Sequence, residues 1–197
     1  MKDSRILNLG CGRVIQDEAC NVDQYPGEGV DLVTNFECDR LGVADDSIET
    51  FYACHVLEHI RNILSLMQEC WRIAAPGAVM HIRCPFAASN DAFDDPTHVR
   101  QFTETSWGAY SQPYYHRAVY RTIWNEEYSA DWQCNHVVLL VPETNEQAVH
   151  RVLAECRSLR NQVIEMQTML VAVKPARPRK SELLEPYPVH IQMVQVP

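Results

Sequence analysis

Two residues without side chains, Gly10 and Gly12, close the apolar run Ile6 to Leu9, and an acid, Asp23, ends a second short run eleven residues after Gly12. A strand that runs into closely spaced glycines leaves bare backbone at the turn, where a ligand can approach the main chain. A carboxylate at the tip of the neighbouring strand is placed to accept hydrogen bonds from both hydroxyls of a ribose. Each feature also has an ordinary alternative. A tight strand-to-helix turn uses the same glycines with no ligand, and Asp23 before Gln24-Tyr25-Pro26-Gly27 is equally a turn acid. Arg13 and Val14 stand where a dinucleotide fingerprint has its last glycine, which disfavours a nicotinamide site.

Further along, His55-Val56-Leu57-Glu58-His59 spells the H-x-x-E-H pattern of a zinc peptidase. That chemistry needs both histidines on one helical face around the metal. Here the pattern straddles the expected end of a strand, with His55 in the turn and His59 beyond it, so the match reads as accidental and no metal ligand is assigned.

The elements that must hold these residues are short. Apolar, β-branched runs at Ile6 to Leu9, Cys20 to Asp23, Asp31 to Asn35, Ile48 to Cys54 and Val79 to Cys84 alternate with turn-like or helical stretches, as in a parallel α/β sheet. Ile60, Leu64, Met67 and Trp71 share one helical stripe between about Val56 and Ala74, and Pro76-Gly77 reads as its stop. In the second half, Val119 to Tyr128 and Asn135 to Val141 read as strands. Thr144 and Gln147 form a capping-box start for a helix carrying Val149, Val152, Cys156 and Leu159 on one face. A last long strand is expected over Val163 to Pro175. Residues 176–197, rich in proline, are set apart as a tail behind a domain of residues 1–175. Within it, Val189 to Val196 fits an edge strand, a strand exchanged in a homodimer, or a loose end.

Composition narrows the function classes. The chain has 197 residues, enough for one substantial core, and a net charge of −9, which disfavours broad binding to nucleic-acid phosphates. The one basic cluster, Lys174 to Lys180, reads as a solvated linker. The longest apolar run, Val137 to Val141, is too short to span a bilayer, and no basic stretch with an apolar h-region opens the sequence, so a soluble, cytoplasmic protein with no membrane partner is expected. The eight cysteines include no C-x-x-C pair and are expected to be mostly small buried residues.

The ordered set "LNLGCG", "DDSIETFYACHVLEHI" and "LMQECWRIAAPGAVMHIRCP", spanning Ile6 to Pro85, resembles class I S-adenosylmethionine-dependent methyltransferases of the branch called methyltransferase type 11. Glu69 and Arg72 stand at that family's Glu-x-x-Arg pair. The resemblance implies an α/β fold with a Rossmann-like doubly wound sheet, mostly parallel with an antiparallel C-terminal strand, and S-adenosyl-L-methionine as cofactor. It places Gly10, Cys11 and Gly12 under the methionine part with Asn8 behind them, Asp23 on the ribose, Gln24 beside the adenine, Asn35 and Phe36 at the adenine amino group, and Cys54 and His55 toward the methionine end and the acceptor. The short crossover between Gly12 and Asp23 and the missing third glycine depart from the family pattern.

Methyl transfer is an in-line displacement, so the enzyme chiefly aligns nucleophile, methyl and sulfur, and in some cases removes a proton. In "FDDPTHVRQFTETSW", Phe93 to Trp107, which is similar to a segment in a subset of these enzymes, His98 is the expected base, with Asp95 or Asp94 orienting it. The alternative is a turn at Asp95-Pro96-Thr97 braced by His98. Tyr110, Tyr114, Tyr115 and His116 could form an aromatic wall for the acceptor, or simply pack. The expected activity is methyl transfer to a small molecule or sugar intermediate. A non-catalytic nucleoside-binding module, a zinc peptidase and a nucleic-acid methyltransferase are the alternatives.

Overall fold

The computed structural model describes residues 4–37, 40–117, 127–143, 149–156 and 158–195. Eight strands form one sheet: β1 (Ile6–Leu9), β2 (Cys20–Asp23), β3 (Leu32–Val33), β4 (Ile48–Cys54), β5 (Ala74–Pro85), β6 (Trp132–Pro142), β7 (Glu165–Ala172) and β8 (Val189–Val194). Their order is β3-β2-β1-β4-β5-β7-β6-β8. Every neighbouring pair is parallel except the two that β7 makes, with β5 and with β6. The sheet is therefore mostly parallel, with an antiparallel strand near the C-terminus. The chain leaves β1 toward β2 on one side and later returns as β4 on the other. This reversal opens a crevice beyond the carboxyl ends of β1 and β4.

The helix α1 (Ile63–Ile73) buries Ile63, Leu66, Met67, Cys70 and Ile73, residues three and four apart that form one apolar stripe. It is shorter than the sequence suggested, because Leu57–His59 forms a separate 3-10 turn before it. Its end also differs from expectation. Ala74 is already in β5, and Pro76-Gly77 sits inside that strand, where the pairing shifts between Ile48↔Ala74 and Thr50↔Val79. Proline and glycine mark an irregularity in the ladder there rather than the helix stop.

Glu69 and Arg72 tie α1 to the loop before β4. Arg72 donates from Nε to Glu69 Oε2 at 2.7 Å and from a terminal nitrogen to Val43 O at 2.9 Å, and also pairs with Asp45, while Glu69 Oε1 accepts the Leu41 N–H at 2.9 Å. Beneath the sheet, Trp132 meets Phe51 edge-on at 5.9 Å and donates its indole N–H to Met67 O. Trp107 stacks on Phe102 at 4.9 Å. Two shorter helices, α2 (Asp91–Asp94) and α3 (Val149–Glu155), complete the α-helices among the described residues, and 3-10 turns form at Ser106–Tyr110, Gln112–His116 and Ser181–Leu183. No helix among the described residues is long and apolar enough to cross a membrane.

The basic stretch is an anchor and not a solvated linker. Asp131, wholly buried, accepts hydrogen bonds from Arg177 Nε, a terminal Arg177 nitrogen and Arg177 N–H at 2.8–2.9 Å and from Gln112 N–H at 3.1 Å. Arg179 donates to Gln112 Oε1 and Tyr128 O. From that anchor residues 181–188 lead to β8, which pairs in parallel with β6 at the edge of the sheet. Of the expected strand Val119 to Tyr128, residues 119–126 lie outside the described residues, as do Thr144 and Gln147. Six of the seven described cysteines are buried and Cys54 is exposed, all as free thiols.

Candidate functional site

The short crossover is held by side-chain amides in place of a helix. Asn8 and Asn21 are paired across β1 and β2, and Asn8 Nδ2 donates to Val14 O at 2.8 Å and to Asn21 Oδ1 at 3.0 Å. Asn21 in turn accepts the Gln16 N–H and donates to Gln16 O, each at 3.0 Å. These bonds satisfy backbone groups that an irregular loop would otherwise leave unpaired. Asn8 lies buried behind the turn, committed to this network.

At the turn itself Gly10 (φ +60°) and Gly12 (φ +50°) are left-handed. A Cβ on Gly10 would stand 2.4 Å from Val56 Cγ2, so the residue after the tip of β4 packs directly on the glycine. A Cβ on Gly12 would meet nothing within 4 Å. Cys11, between them, is buried, and burial with the nearby Asp23 charge pushes its thiol up. Asp23 stands half-buried at the end of β2, accepting the Gly12 N–H at 2.8 Å on one oxygen and the Tyr25 N–H at 3.0 Å on the other. Each oxygen keeps acceptor capacity for a ligand hydroxyl.

Gly12 and Asp23 open on a cleft of about 990 Å³ that Tyr25 and Gly29 also line. Its described lining carries one cation, Arg13, against two acids, Asp23 and Glu28. That balance suits a neutral or cationic nucleoside better than a phosphorylated one. Gln24, between Asp23 and Tyr25, and Asn35 are exposed, Asn35 Oδ1 accepting the Glu37 N–H at 2.9 Å, while Phe36 is buried in the core.

The other half of the crevice is charged. Cys54 ends β4 and His55 follows it, both exposed, with His55 at φ +52° and its N–H on Arg83 O at 2.9 Å. His55 Nε2 lies 2.6 Å from Glu165 Oε1, and Nδ1 lies 3.3 Å from Glu58 Oε1. Glu165 and then Glu58 raise the imidazole to about 9, so His55 is a cation at neutral pH. Arg83 donates from Nε to the second Glu165 oxygen at 2.6 Å. Burial opposes charge on Glu165, but the His55 and Arg83 hydrogen bonds outweigh it and hold the carboxyl below its usual range. Glu165 comes from β7, far away in sequence, and no local pattern pointed to it.

The Asp95–His98 loop sits beside this cluster. Asp95 Oδ2 is 4.0 Å from His98 Nε2, outside hydrogen-bond distance. Asp95 Oδ1 instead accepts the Thr97 N–H at 2.7 Å and the Thr97 hydroxyl at 2.6 Å. Val99 and Arg100 donate their N–H groups to Glu58 O, which fixes the loop against the 3-10 turn. Of the expected aromatic wall, Tyr110 and Tyr115 are buried, while Tyr114 and His116 are half-buried.

A family model described as a methyltransferase domain matches residues 15–82. Among solved structures, the fold is similar to a SAM-dependent methyltransferase from Archaeoglobus fulgidus (TM-score 0.57, 15% identity, 85% of this chain and 86% of that one). It is also similar to the YcgJ protein from Bacillus subtilis (TM-score 0.54, 12% identity, 88% and 93%). A third is a SAM-dependent methyltransferase from Aquifex aeolicus (TM-score 0.50, 12% identity, 85% and 81%). No curated protein matches the chain. The chain thus has the fold of class I S-adenosylmethionine-dependent methyltransferases, and residues 15–82 match the methyltransferase-domain model.

Proposed function

We propose that the protein is an enzyme that transfers a methyl group from S-adenosylmethionine to a small-molecule acceptor. The observation that carries this reading is the junction of Gly12 and Asp23 in a cleft whose lining is net acidic, at the crevice where the strand order reverses past β1. A nucleoside cofactor with a sulfonium and no phosphates matches it. Asp23 has free acceptor capacity for ribose hydroxyls, Gly12 allows close approach to the backbone, and the acids favour the positive sulfur. The cofactor supplies an electrophilic methyl group. The chain's own part is to bind it, to orient the acceptor and to exclude water.

Asp23, Gly10, Cys11 and Gly12 hold the cofactor in this reading, with Gln24, Asn35 and Tyr25 toward the base. Cys54, His55, Arg83 and Glu165 face the acceptor, a constellation with both charges that suits a polar small molecule. His98 lies on the acceptor side. The net charge of −9 supports a small acceptor over nucleic acid.

Calorimetric titration with S-adenosylmethionine and S-adenosylhomocysteine, with NAD as control, tests the reading. One-to-one micromolar binding of both nucleosides, lost in Asp23→Ala, is the expected result. Binding of neither, or equal binding by Asp23→Ala, overturns it.

A further inference from the structure

Glu58, His59 and His98 converge beside the crevice, each offering one ligand atom, and these atoms all lie within 4.8 Å of one another. The convergence is built by the backbone. Glu58 and His59 belong to the 3-10 turn, and the hydrogen bonds from Val99 and Arg100 to Glu58 O bring His98 to it. The two imidazole rings meet edge-on at 4.7 Å.

Two of the three groups are buried with polar atoms left over. Glu58 is 2% exposed: its Oε1 faces the charged His55 ring at 3.3 Å, and its Oε2 has no hydrogen-bond partner among the described residues. The His98 side chain is 8% exposed, and its Nδ1 is likewise without a partner. Buried polar atoms are rarely left so, and a ligand atom that requires them accounts for the exception.

The third group is already set for coordination. Thr97 Oγ1 lies 2.6 Å from Asp95 Oδ1 and 2.9 Å from His59 Nδ1. The hydroxyl has one proton, and an ionised carboxylate can only accept it. The hydroxyl therefore accepts in turn from His59 Nδ1–H, which leaves Nε2 as the ring nitrogen available to a ligand. A carboxylate acting through a hydroxyl to fix the tautomer and aim of an imidazole is the supporting arrangement that metal-bound histidines have.

We infer that Glu58, His59 and His98 bind a divalent transition-metal ion of the zinc class, through one carboxylate oxygen and two imidazole nitrogens. Nitrogen donors in the set select against magnesium and calcium. Around a tetrahedral ion with bonds of about 2.1 Å the ligand atoms stand about 3.4 Å apart. The cluster therefore closes by at most about 1.5 Å on binding. Three protein ligands leave a fourth position of a tetrahedral ion open to water or another donor. The H-x-x-E-H spacing paired His55 with His59. The fold instead turns His55 toward Glu165 and brings His98, 39 residues beyond His59, to the site in its place. As a metal ligand, His98 holds an ion and is not the free base expected from the sequence.

The test is uptake of cobalt(II) and zinc(II) by the metal-stripped full chain, read by visible ligand-field absorption and competition, and so independent of methyl transfer. One cobalt per chain, displaced by zinc, is expected. Affinity should fall more than about 100-fold in His59→Ala and His98→Ala, and roughly 10-fold in Thr97→Val. Glu58→Gln, close in shape, decides if an alanine variant does not fold, and should also lose affinity. His190→Ala, in β8 at the far edge of the sheet, should leave binding unchanged. Absence of stoichiometric uptake, equal uptake by His98→Ala or Glu58→Gln, or loss in His190→Ala overturns the assignment.

Discussion

Replacing Gly10 and Gly12 one at a time by alanine separates what the glycine turn does for stability from what it does for binding. Both residues are left-handed, and holding an L-residue there costs about 1–2 kcal/mol. At Gly12 that is the whole cost, because the added Cβ meets nothing within 4 Å. At Gly10 the Cβ would stand 2.4 Å from Val56 Cγ2 and 2.7 Å from Val56 Cβ, far inside contact distance, and overpacking adds about 1–3 kcal/mol. Gly10→Ala should therefore cost about 2–5 kcal/mol and Gly12→Ala about 1–2 kcal/mol. For a chain of this size that corresponds to roughly 4–20 °C against roughly 2–8 °C in Tm. The assay is thermal unfolding with and without S-adenosylhomocysteine. A ligand at a hundred times its Kd stabilises the wild type by about 2.7 kcal/mol. Gly12→Ala, whose Cβ enters the cleft, should lose most of that increment while staying folded. Gly12→Ala as unstable as Gly10→Ala would refute the contact with Val56, and an unreduced ligand shift in Gly12→Ala would refute the close approach at Gly12.

Other perturbations test the frame around the site. Arg177→Met leaves the wholly buried Asp131 carboxylate without its ionic partner and should cost about 3–5 kcal/mol in urea unfolding, whereas a cost under about 1 kcal/mol would mean that residues 176–195 are not held by it. Burial opposes charge on Glu69, but hydrogen bonds from Arg72 and the Leu41 N–H outweigh it and hold the folded carboxyl below its ordinary value of 4.5. The contribution of this pair is thus present above pH 4.5 and lost as pH falls through the lower folded value. Glu69→Gln should be less stable at neutral pH, with a shallower decline in the acid range; an unchanged acid limb would remove the pair from the account. Asn8→Ala should destabilise the 10–19 crossover by about 1–3 kcal/mol, since Val14 O and the Asn21 amide lose a partner, and hydrogen exchange localised to that loop would check it.

Much of the parallel half of the fold could be read directly. β1, β2 and β4 follow from short β-branched runs bounded by turn residues, which report burial on both faces of a parallel sheet without further context. The glycine turn and Asp23 were equally readable, because a left-handed turn and a strand-tip acid leave local signatures. Pro76-Gly77 misled, since the same dipeptide serves a helix stop and an irregular strand, and only the partner strand distinguishes them. The basic stretch misled for a related reason. Nothing local announces that Arg177 has a buried acid to meet, and Asp131 lies 46 residues earlier.

By itself the sequence determined which backbone could turn at Gly10 and Gly12, where the first strands lie, and that a nucleoside-binding sheet of the methyltransferase kind was the fold to expect. These depend on conformational preference and periodicity, which act over a few residues. Only the tertiary structure decided the company that the side chains keep: Glu165 beside His55, Thr97 between Asp95 and His59, and His98 beside Glu58. Those meetings depend on which strands become neighbours and how a loop folds back, and charges or ring nitrogens brought together from distant segments leave no periodic trace in the chain.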